Sequence, residues 1–238
     1  MLILAIETTG EYCSFAVCED ANVKSALMVR TYQDLLIRLP SLIEATLNQA
    51  QVSLDEISLI AVSLGPGSFT STRIGVSYAK ALAYALDKPI IGIGTLKSIA
   101  VSVPAPVGAL VVPMYPSRPT REYEAYTATF KRCGDELELV QPDRAIEISA
   151  LVNELHDASS PLVVCGIIRS SWNELLRTVL EPGNAAPILV PTMPSAIAIA
   201  HLAAQRWQRT GKGDDVSQIK PTYVLPSQAE ARFGIYVT

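Results

Sequence analysis

Histidine is scarce in this chain, whose 238 residues include only His156 and His201. The two lie in different predicted helices and form neither an HxxxH nor an HExxH pair, so a helix that binds zinc through two histidines is excluded. The sequence also lacks a Gly-x-Ser-x-Gly turn, which carries the nucleophile in one large class of hydrolases. A serine hydrolase is therefore disfavoured, and a metallopeptidase would rest on fold-level analogy alone.

Cysteine pairs and long apolar runs are missing as well. The four cysteines, Cys13, Cys18, Cys133 and Cys165, form no CxxC pair, which favours free thiols in a reducing compartment. No run of about 18 apolar residues is present to span a membrane, and the first apolar run stops at Glu7, too early for a signal peptide. We therefore expect a cytoplasmic protein that is not bound to a membrane.

Positive charge is not in excess either, because 19 basic residues face 23 acidic ones and the net charge is −4. A protein that holds RNA by itself normally has a basic stripe that neutralises phosphates. The densest cationic stretch, from Arg118 to Arg121, is followed at once by Glu122 and Glu124. If RNA is involved, another chain is expected to supply most of the positive charge.

Apolar residues make up 49% of the chain, enough for a large core. Their spacing predicts strands followed by strand–helix alternation in both halves, with a break at the VPAPVG segment (103–108). We predict an α/β fold of two related lobes, residues 1–103 and 104–238, each a mixed sheet flanked by helices. The predicted strands are 2–7, 12–18, 23–29, 57–63, 89–93, 109–113, 122–130, 136–140 and 162–165. The predicted helices are 32–51, 71–86, one beginning at 149, 170–180 and 194–209, with a short helix capped by Thr95.

Two predicted helices of the first lobe have apolar residues at helical spacing. The helix over 32–51 contains Pro40, which should kink it. The helix over 71–86 has four alanines between residues 79 and 85, whose small side chains allow another helix to approach closely. Local spacing favours stripes that face the chain's own core, and the alternative is that both helices pair with those of another subunit.

A glycine-rich segment precedes the second of these helices. It consists of Gly65, Pro66, Gly67, Ser68, Phe69 and Thr70. Such a loop can offer backbone N–H groups to a phosphate, or it can be a tight turn that requires glycine. No lysine follows the glycines, so the segment is not a P-loop. We favour the turn, with Ser68 or Thr70 as the helix cap.

The first predicted hairpin closes on Glu7, Thr8, Thr9 and Gly10. A carboxylate at a strand end beside hydroxyls could hold a hydrated cation and a phosphate, and the residues alone do not separate this from ordinary turn chemistry. A stand-alone ATPase or kinase, the alternative function, would need such carboxylates for Mg²⁺.

Three segments together are distinctive: LILAIETTGEYCSFAV at the start, SLGPGSFTSTRIG with Arg73 in the middle, and PTYVLPSQAEARF near the end. Their order and spacing resemble the bacterial TsaB (YeaZ) family along nearly the whole chain. The resemblance implies the duplicated actin- and hexokinase-like (ASKHA) fold. It also implies a non-catalytic subunit that pairs with TsaD, the transferase that forms threonylcarbamoyladenosine in tRNA.

The resemblance further implies where the chemistry lies. TsaD would carry the metal, a TsaE-like ATPase would join the complex, and tRNA would be bound only through the complex. This chain would have no catalytic residue, no metal and no cofactor of its own, and ATP or ADP would bind at the interface of the complex if at all. Glu7, Thr8 and Thr9 would be a remnant of a nucleotide-phosphate site.

Pairing with TsaD would use the helices of the first lobe, and the isolated chain should form a homodimer through the same surface. The expected partner-binding residues are Leu36, Leu39, Pro40, Ile43, Ile74, Tyr78 and Leu82. Two departures from the family argue against autonomous nucleotide binding. Ser71 stands where the family usually has glycine, and the stretch from Met114 to Arg118 replaces an Asp-Ala-Arg segment.

Overall fold

The computed structural model describes residues 1–31, 33–156, 158, 160–178 and 188–225. The strands are β1 Leu2–Glu7, β2 Tyr12–Glu19, β3 Asn22–Arg30, β4 Leu59–Ser63, β5 Ile90–Ile93, β6 Leu110–Pro116, β7 Glu124–Cys133, β8 Glu136–Glu147, β9 Leu162–Gly166 and β10 Ile188–Pro191. The α-helices are α1 Leu35–Ala50, α2 Phe69–Leu86, α3 Thr95–Val101, α4 Ile148–His156, α5 Asn173–Thr178 and α6 Ala196–Thr210, with short 3₁₀ turns at Leu54–Glu56 and Ser170–Trp172.

The chain forms two compact units, and both have the same sheet topology. The first unit comprises Met1–Ser102 and Met193–Pro221, and the second comprises Val103–Thr192 and Thr222–Thr238. The strand orders are β3-β2-β1-β4-β5 and β10-β9-β6-β7-β8. In each sheet three neighbouring strands run parallel, namely β1, β4 and β5 in the first and β6, β9 and β10 in the second, and a meander adds two strands with antiparallel pairing at one side. The predicted fold of two related α/β lobes with mixed sheets is therefore confirmed.

In the first unit, helices cover both faces of the sheet. Leu4 and Ile6 of β1 face α1 and α2, whereas Ile3 and Ala5 face α6. Because both faces of β1 are buried, the strand reads as an uninterrupted apolar run rather than as an alternating one.

Helix α6 belongs to the first unit, so its predicted place in a lobe of residues 104–238 is wrong. Its N-terminus is joined to β2 by a hydrogen bond of 2.6 Å from the Ala196 N–H to Ser14 Oγ. Its alanine-rich face packs on the side of the sheet that carries Ala5, Ala16 and Ala61. The sequence pattern of an amphipathic helix shows that one face is buried but not which sheet buries it.

The segment after α6 covers the edge of the same sheet at β5. The Asp214 N–H donates to Ile90 O at 2.7 Å, and Asp214 Oδ2 accepts from the Gly92 N–H at 2.8 Å. Further along, Ile219 is buried in the core under α1 and α2, and Lys80 of α2 donates to its carbonyl at 2.9 Å. An edge strand that would otherwise expose unpaired backbone groups is thereby closed.

In the second unit, α4 and α5 pack on one face of the sheet around the fully buried Trp172. Several predicted bounds differ from those observed. Strand β8 extends to Glu147, Thr95 begins α3 while Gly94 is its N-cap, and β10 was not predicted. Residues 179 and 180 of the predicted helix over 170–180, and residue 32 of the one over 32–51, lie outside the described residues. Within the described ranges, no helix combines the length and apolar character needed to cross a bilayer.

Candidate functional site

The glycine loop connects β4 to α2 and is held by backbone hydrogen bonds. Gly65 has a φ of 101°, precedes a cis peptide bond to Pro66, and accepts from the Thr95 N–H at 2.8 Å. The N–H of Leu64 donates to Ile93 O at 2.9 Å. These bonds tie the loop to the junction of β5 and α3, and the left-handed φ explains the glycine at position 65.

The other side of the loop packs directly on the β1–β2 turn. The Ser68 N–H donates to Thr9 O at 2.6 Å, and a Cβ at Gly67 would lie 2.4 Å from the same oxygen. The Thr8 hydroxyl donates to Ser71 O at 3.0 Å. The two segments are therefore in contact where a phosphate would have to enter, which supports the interpretation of the loop as a tight turn.

Helix α2 begins at the end of this loop. Ser68 is its N-cap and accepts from the Ser71 N–H at 3.4 Å, whereas Thr70 lies inside the helix. The Ser71 hydroxyl, which replaces the family's usual glycine, accepts a hydrogen bond from Ser68 Oγ at 3.1 Å. Arg73 stacks 3.9 Å from the centre of the Phe69 ring. The first turn of α2 is thus held by side-chain contacts and accommodates serine at position 71.

Glu7 lies at the end of β1 and is completely buried, as are Thr8 and Thr9. Its Oε1 accepts from the Thr9 N–H at 2.6 Å and from the Thr9 hydroxyl at 2.5 Å, whereas Oε2 has no hydrogen-bond partner among the described residues. Burial raises the pKa of Glu7, and polar groups of Ser63 and Thr9 oppose this effect only in part. The Ser63 hydroxyl itself pairs with Thr95 Oγ1 at 2.8 Å.

These contacts fit a cation-bound phosphate poorly. A carboxylate that holds a hydrated Mg²⁺ must be ionised and reach solvent or ligand, but Glu7 is sealed inside the turn and its burial favours the neutral form. The Thr9 N–H, one of the donors that a phosphate would use, is already bonded to Glu7. The structure thus brings Glu7, Thr8 and Thr9 together but turns their polar atoms inward.

The seven residues expected to contact a partner differ in exposure: two are exposed, three are half-buried and two are buried. Leu36 is 68% exposed and Pro40 is also exposed. Ile74, Tyr78 and Leu82 are half-buried and touch the core under α2.

Leu39 and Ile43 belong to that core and are 0% and 3% exposed, so their prediction as contact residues is wrong. They lie four residues apart on the inward stripe of α1, and helical spacing alone could not tell this stripe from an outward one.

Sequence reasoning missed two prominent surface residues. Ile37 is 83% exposed on α1, and Tyr84 is 84% exposed on α2. The signal that could have found Ile37 is its position one residue after Leu36, off the stripe formed by Leu35, Leu39 and Leu42. We call the exposed set the apolar strip. It comprises Leu36, Ile37 and Pro40 of α1 and Ala81, Tyr84 and Ala85 of α2.

The four alanines of α2 divide between two environments. Ala79 and Ala83 are buried at 0% and 1% exposure, whereas Ala81 and Ala85 face outward beside Tyr84. Both α1 and α2 connect strands that run parallel to β1, so the two helices run in the same direction. Leu36 and Ile37 therefore lie near one end of the helix pair and Tyr84 lies near the other.

The three buried thiols among the described residues are poorly suited to act as nucleophiles. Burial raises the pKa of Cys13 and of Cys18 to about 11 and that of Cys165 to about 12, so these thiols are protonated at neutral pH. The ring of His201 is hydrogen-bonded at 3.1 Å to Ala21 O, a contact that ties α6 to the β2–β3 turn. Among the residues whose placement is described, no three His, Cys, Asp or Glu residues group together as metal ligands do.

Comparison with known proteins places these features in a family. A family model described as TsaD, tRNA N6-adenosine threonylcarbamoyltransferase, matches residues 31–163, more than half of the chain. The TsaB protein of Bacillus subtilis, named a tRNA threonylcarbamoyladenosine biosynthesis protein, is 25% identical over 98% of both chains. The protein of the same name from Escherichia coli is 28% identical over 94% of both.

Other relatives match a smaller share of the chain, and solved structures show the same fold. A tRNA N6-adenosine threonylcarbamoyltransferase of Protochlamydia amoebophila is 36% identical over 41% of this chain and 33% of its own length. YeaZ from Pseudomonas aeruginosa superposes with a TM-score of 0.72 at 23% identity, over 93% of this chain and 99% of that one. The ethanolamine utilization protein EutJ of Carboxydothermus hydrogenoformans gives a TM-score of 0.53 at 9% identity, over 84% and 90%.

Proposed function

We propose that this chain acts in threonylcarbamoyladenosine formation in tRNA by pairing with a TsaD-like transferase. The premise is that the chain belongs to the TsaD family and, within it, to the TsaB branch. The observation that carries the proposal is the apolar strip on α1 and α2. These helices already bury one face in their own core, yet Ile37 and Tyr84 still expose more than four-fifths of their surface.

Covering such side chains provides the free energy for association. Removing apolar surface from water stabilises by roughly 25 cal/mol per Å², and specific interfaces bury about 800 Å² on each partner. Aromatic side chains such as Tyr84 are enriched at interfaces, and the small Ala81 and Ala85 beside it let a second helix come close. The relatives support a TsaD-like occupant, because they include both TsaB proteins and threonylcarbamoyltransferases that match this chain over about a third of their own length.

In this proposal the chain is the non-catalytic member of the pair. Its support is the condition of the groups that could do chemistry, since Glu7 is sealed, the thiols are protonated and the His201 ring is engaged. The burial of Glu7 also argues against a stand-alone ATPase or kinase. The partner would carry the metal, and ATP or ADP would bind at the interface of the complex if at all. A TsaE-like ATPase would be a third component, and tRNA would meet this chain only within the complex.

Co-purification with the TsaD-like chain of the same organism tests the pairing. We expect association at micromolar concentration and a loss of at least about tenfold in affinity for Ile37→Glu, because a buried unpaired charge opposes docking. Gln208→Glu, at an exposed polar position of α6 on the opposite face of the sheet, is the matched control and should bind normally. Failure of the unaltered chains to associate contradicts the proposal.

The same strip should mediate self-association when the partner is absent, since two-fold dimers are the commonest assemblies and an exposed apolar patch seeks cover. Light scattering of the isolated chain is expected to show a homodimer that Ile37→Glu dissociates. A strict monomer at high concentration would rule the dimer out and leave the pairing with TsaD to be judged by co-purification.

A further inference from the structure

The loop between β6 and β7 in the second unit is organised by a single guanidinium. Arg169 donates from Nη1 to the carbonyls of Arg121 at 3.0 Å and Glu122 at 2.8 Å, and from Nη2 to the carbonyl of Arg118 at 3.5 Å. The indole N–H of Trp172, which is buried, donates to Glu122 O at 2.7 Å. We call residues 117–123 the arginine loop. Three of its carbonyls accept these hydrogen bonds, although residues 119–123 are all exposed.

The two acids that follow the arginines in sequence are occupied within the unit. Glu122 accepts from Ser171 Oγ at 2.6 Å and pairs with Arg169 at 3.3 Å. Glu124 accepts from Ser117 Oγ at 2.7 Å. The sequence reads as if these carboxylates cancelled the neighbouring positive charge, but in the structure they bind other groups.

The side chains of Arg118 and Arg121 differ in exposure and in the groups that they contact. Arg118 is half-buried beside Tyr126, whose pKa is raised by burial and lowered in part by the arginine. Arg121 is exposed, and no ion pair or side-chain hydrogen bond to any described residue engages its guanidinium. Tyr123, two residues further on, is also exposed. The loop therefore presents one uncommitted guanidinium and one aromatic ring on a backbone that Arg169 and Trp172 hold by hydrogen bonds.

We propose that the arginine loop contacts the phosphate backbone of RNA through Arg121, with Tyr123 available to stack on a base. The inference rests on the proposed function, which brings tRNA to the complex. Guanidinium groups bind phosphate through two parallel hydrogen bonds, and a loop already fixed by Arg169 loses little conformational entropy on binding.

The exposure of the loop favours RNA over a free nucleotide. Small-molecule sites are concave and enclose most of their ligand, whereas residues 119–123 form five consecutive exposed positions. A polymer backbone needs only a local contact on such a surface. Because the chain as a whole carries a net charge of −4, this contact supplements the positive charge of the partner and does not hold RNA alone.

The test uses the complex of this chain with the TsaD-like chain and a fluorescently labelled tRNA transcript. Affinity is measured by anisotropy over a series of KCl concentrations for Arg121→Gln and for Lys131→Gln. Lys131 is exposed near the opposite end of β7 and provides a matched loss of one charge. We expect Arg121→Gln to weaken binding about three- to tenfold and to lower the slope of log affinity against log salt by about 1, while Lys131→Gln changes neither.

The outcomes distinguish a failure of the RNA contact from a failure of the proposed pairing with the TsaD-like chain. If both chains co-elute but Arg121→Gln and Lys131→Gln bind tRNA alike, the arginine loop does not touch RNA and only this inference fails. If the chains do not co-elute, the proposed function fails and this inference fails with it. Arg121→Glu should lower the affinity for tRNA further than Arg121→Gln does, because its carboxylate repels a phosphate. Equal affinity for the Glu and Gln variants contradicts a phosphate contact.

Discussion

Thr8 Oγ1 occupies the space beside the backbone of Gly75, where the Cβ of any other residue would lie 2.0 Å away from it. The same hydroxyl donates to Ser71 O one turn earlier in α2. Helix α2 is therefore seated on the β1–β2 turn by a close approach that only glycine permits. Since α2 carries part of the apolar strip, this contact also sets where the proposed partner would dock.

Gly75→Ala is expected to destabilise the first unit although alanine is the better helix former by about 1 kcal/mol. The added methyl overlaps Thr8, so α2 must shift, and we expect a net loss of about 1–3 kcal/mol in the free energy of unfolding. Ser77→Ala is the control, because Ser77 is an exposed position two residues further along the same helix.

The double variant Gly75→Ala with Thr8→Ala separates the overlap from other effects. Removing the Thr8 hydroxyl should recover part of the loss, so the two changes together should cost less than the sum of the single ones. Strict additivity in urea unfolding would show that the overlap with Thr8 is not the cause.

The buried carboxyl of Glu7 should make stability depend on pH. Burial raises its pKa in the folded protein above the ordinary value of 4.5, so the folded chain holds this proton more tightly than the unfolded chain does. The stability it contributes is therefore complete below about pH 4.5 and is lost as the pH rises through the folded-state pKa. We expect the free energy of unfolding of the unaltered chain, relative to that of Glu7→Gln, to fall with rising pH.

Urea unfolding of both proteins at a series of pH values checks this expectation. Burial also raises the pKa of Asp143 in the second unit, to about 6, and this adds a dependence of the same sign. Asp143→Asn is therefore measured separately, and its effect should persist in the Glu7→Gln background. If the free energy of unfolding of the unaltered chain instead rises with pH relative to that of Glu7→Gln, Glu7 is stabilised as an anion.

Substitutions at Leu39 and Ile37 should affect different properties, the first the stability of the chain and the second its binding to a partner. Leu39→Ala leaves a cavity in the core under α1 and should cost about 2–5 kcal/mol in the free energy of unfolding. Ile37→Ala removes an exposed side chain and should change stability by less than about 0.5 kcal/mol while weakening binding of the TsaD-like chain. Thermal unfolding and titration with the partner measure the two effects, and normal binding by Ile37→Ala would exclude it from the interface.

Asp214 should hold the edge strand β5 in place. Asp214→Ala removes the acceptor of the Gly92 N–H and the ion pair with Arg206, and we expect a loss of about 1–2 kcal/mol and faster hydrogen exchange at Gly92. Asp215→Ala is the control, because the Asp215 side chain accepts from the N–H and the hydroxyl of Ser217 in its own turn. Equal protection of Gly92 in both variants would show that the segment after α6 does not stabilise the edge.

Much of the architecture could be predicted because it is encoded locally. The meander, the two helices of the first lobe and the glycine turn each depend on neighbouring residues, such as Gly65 with its left-handed φ and Ser68 as N-cap. Strand β10 is an apolar run of only four residues that ends in Pro191, and a run so short with a proline does not by itself indicate a strand.

The sequence by itself determined where most of the elements lie, that two lobes repeat one pattern, and that histidine is scarce. Only the tertiary structure decided that α6 belongs to the first sheet, that Leu39 is buried while Ile37 is exposed, and that Glu122 is taken up by Arg169 and Ser171. The periodicity of apolar residues indicates that one face of an element is apolar, and the order of residues shows which charges are neighbours in the chain. Which surface covers that face, and which group meets each charge, depends on segments far apart in the chain.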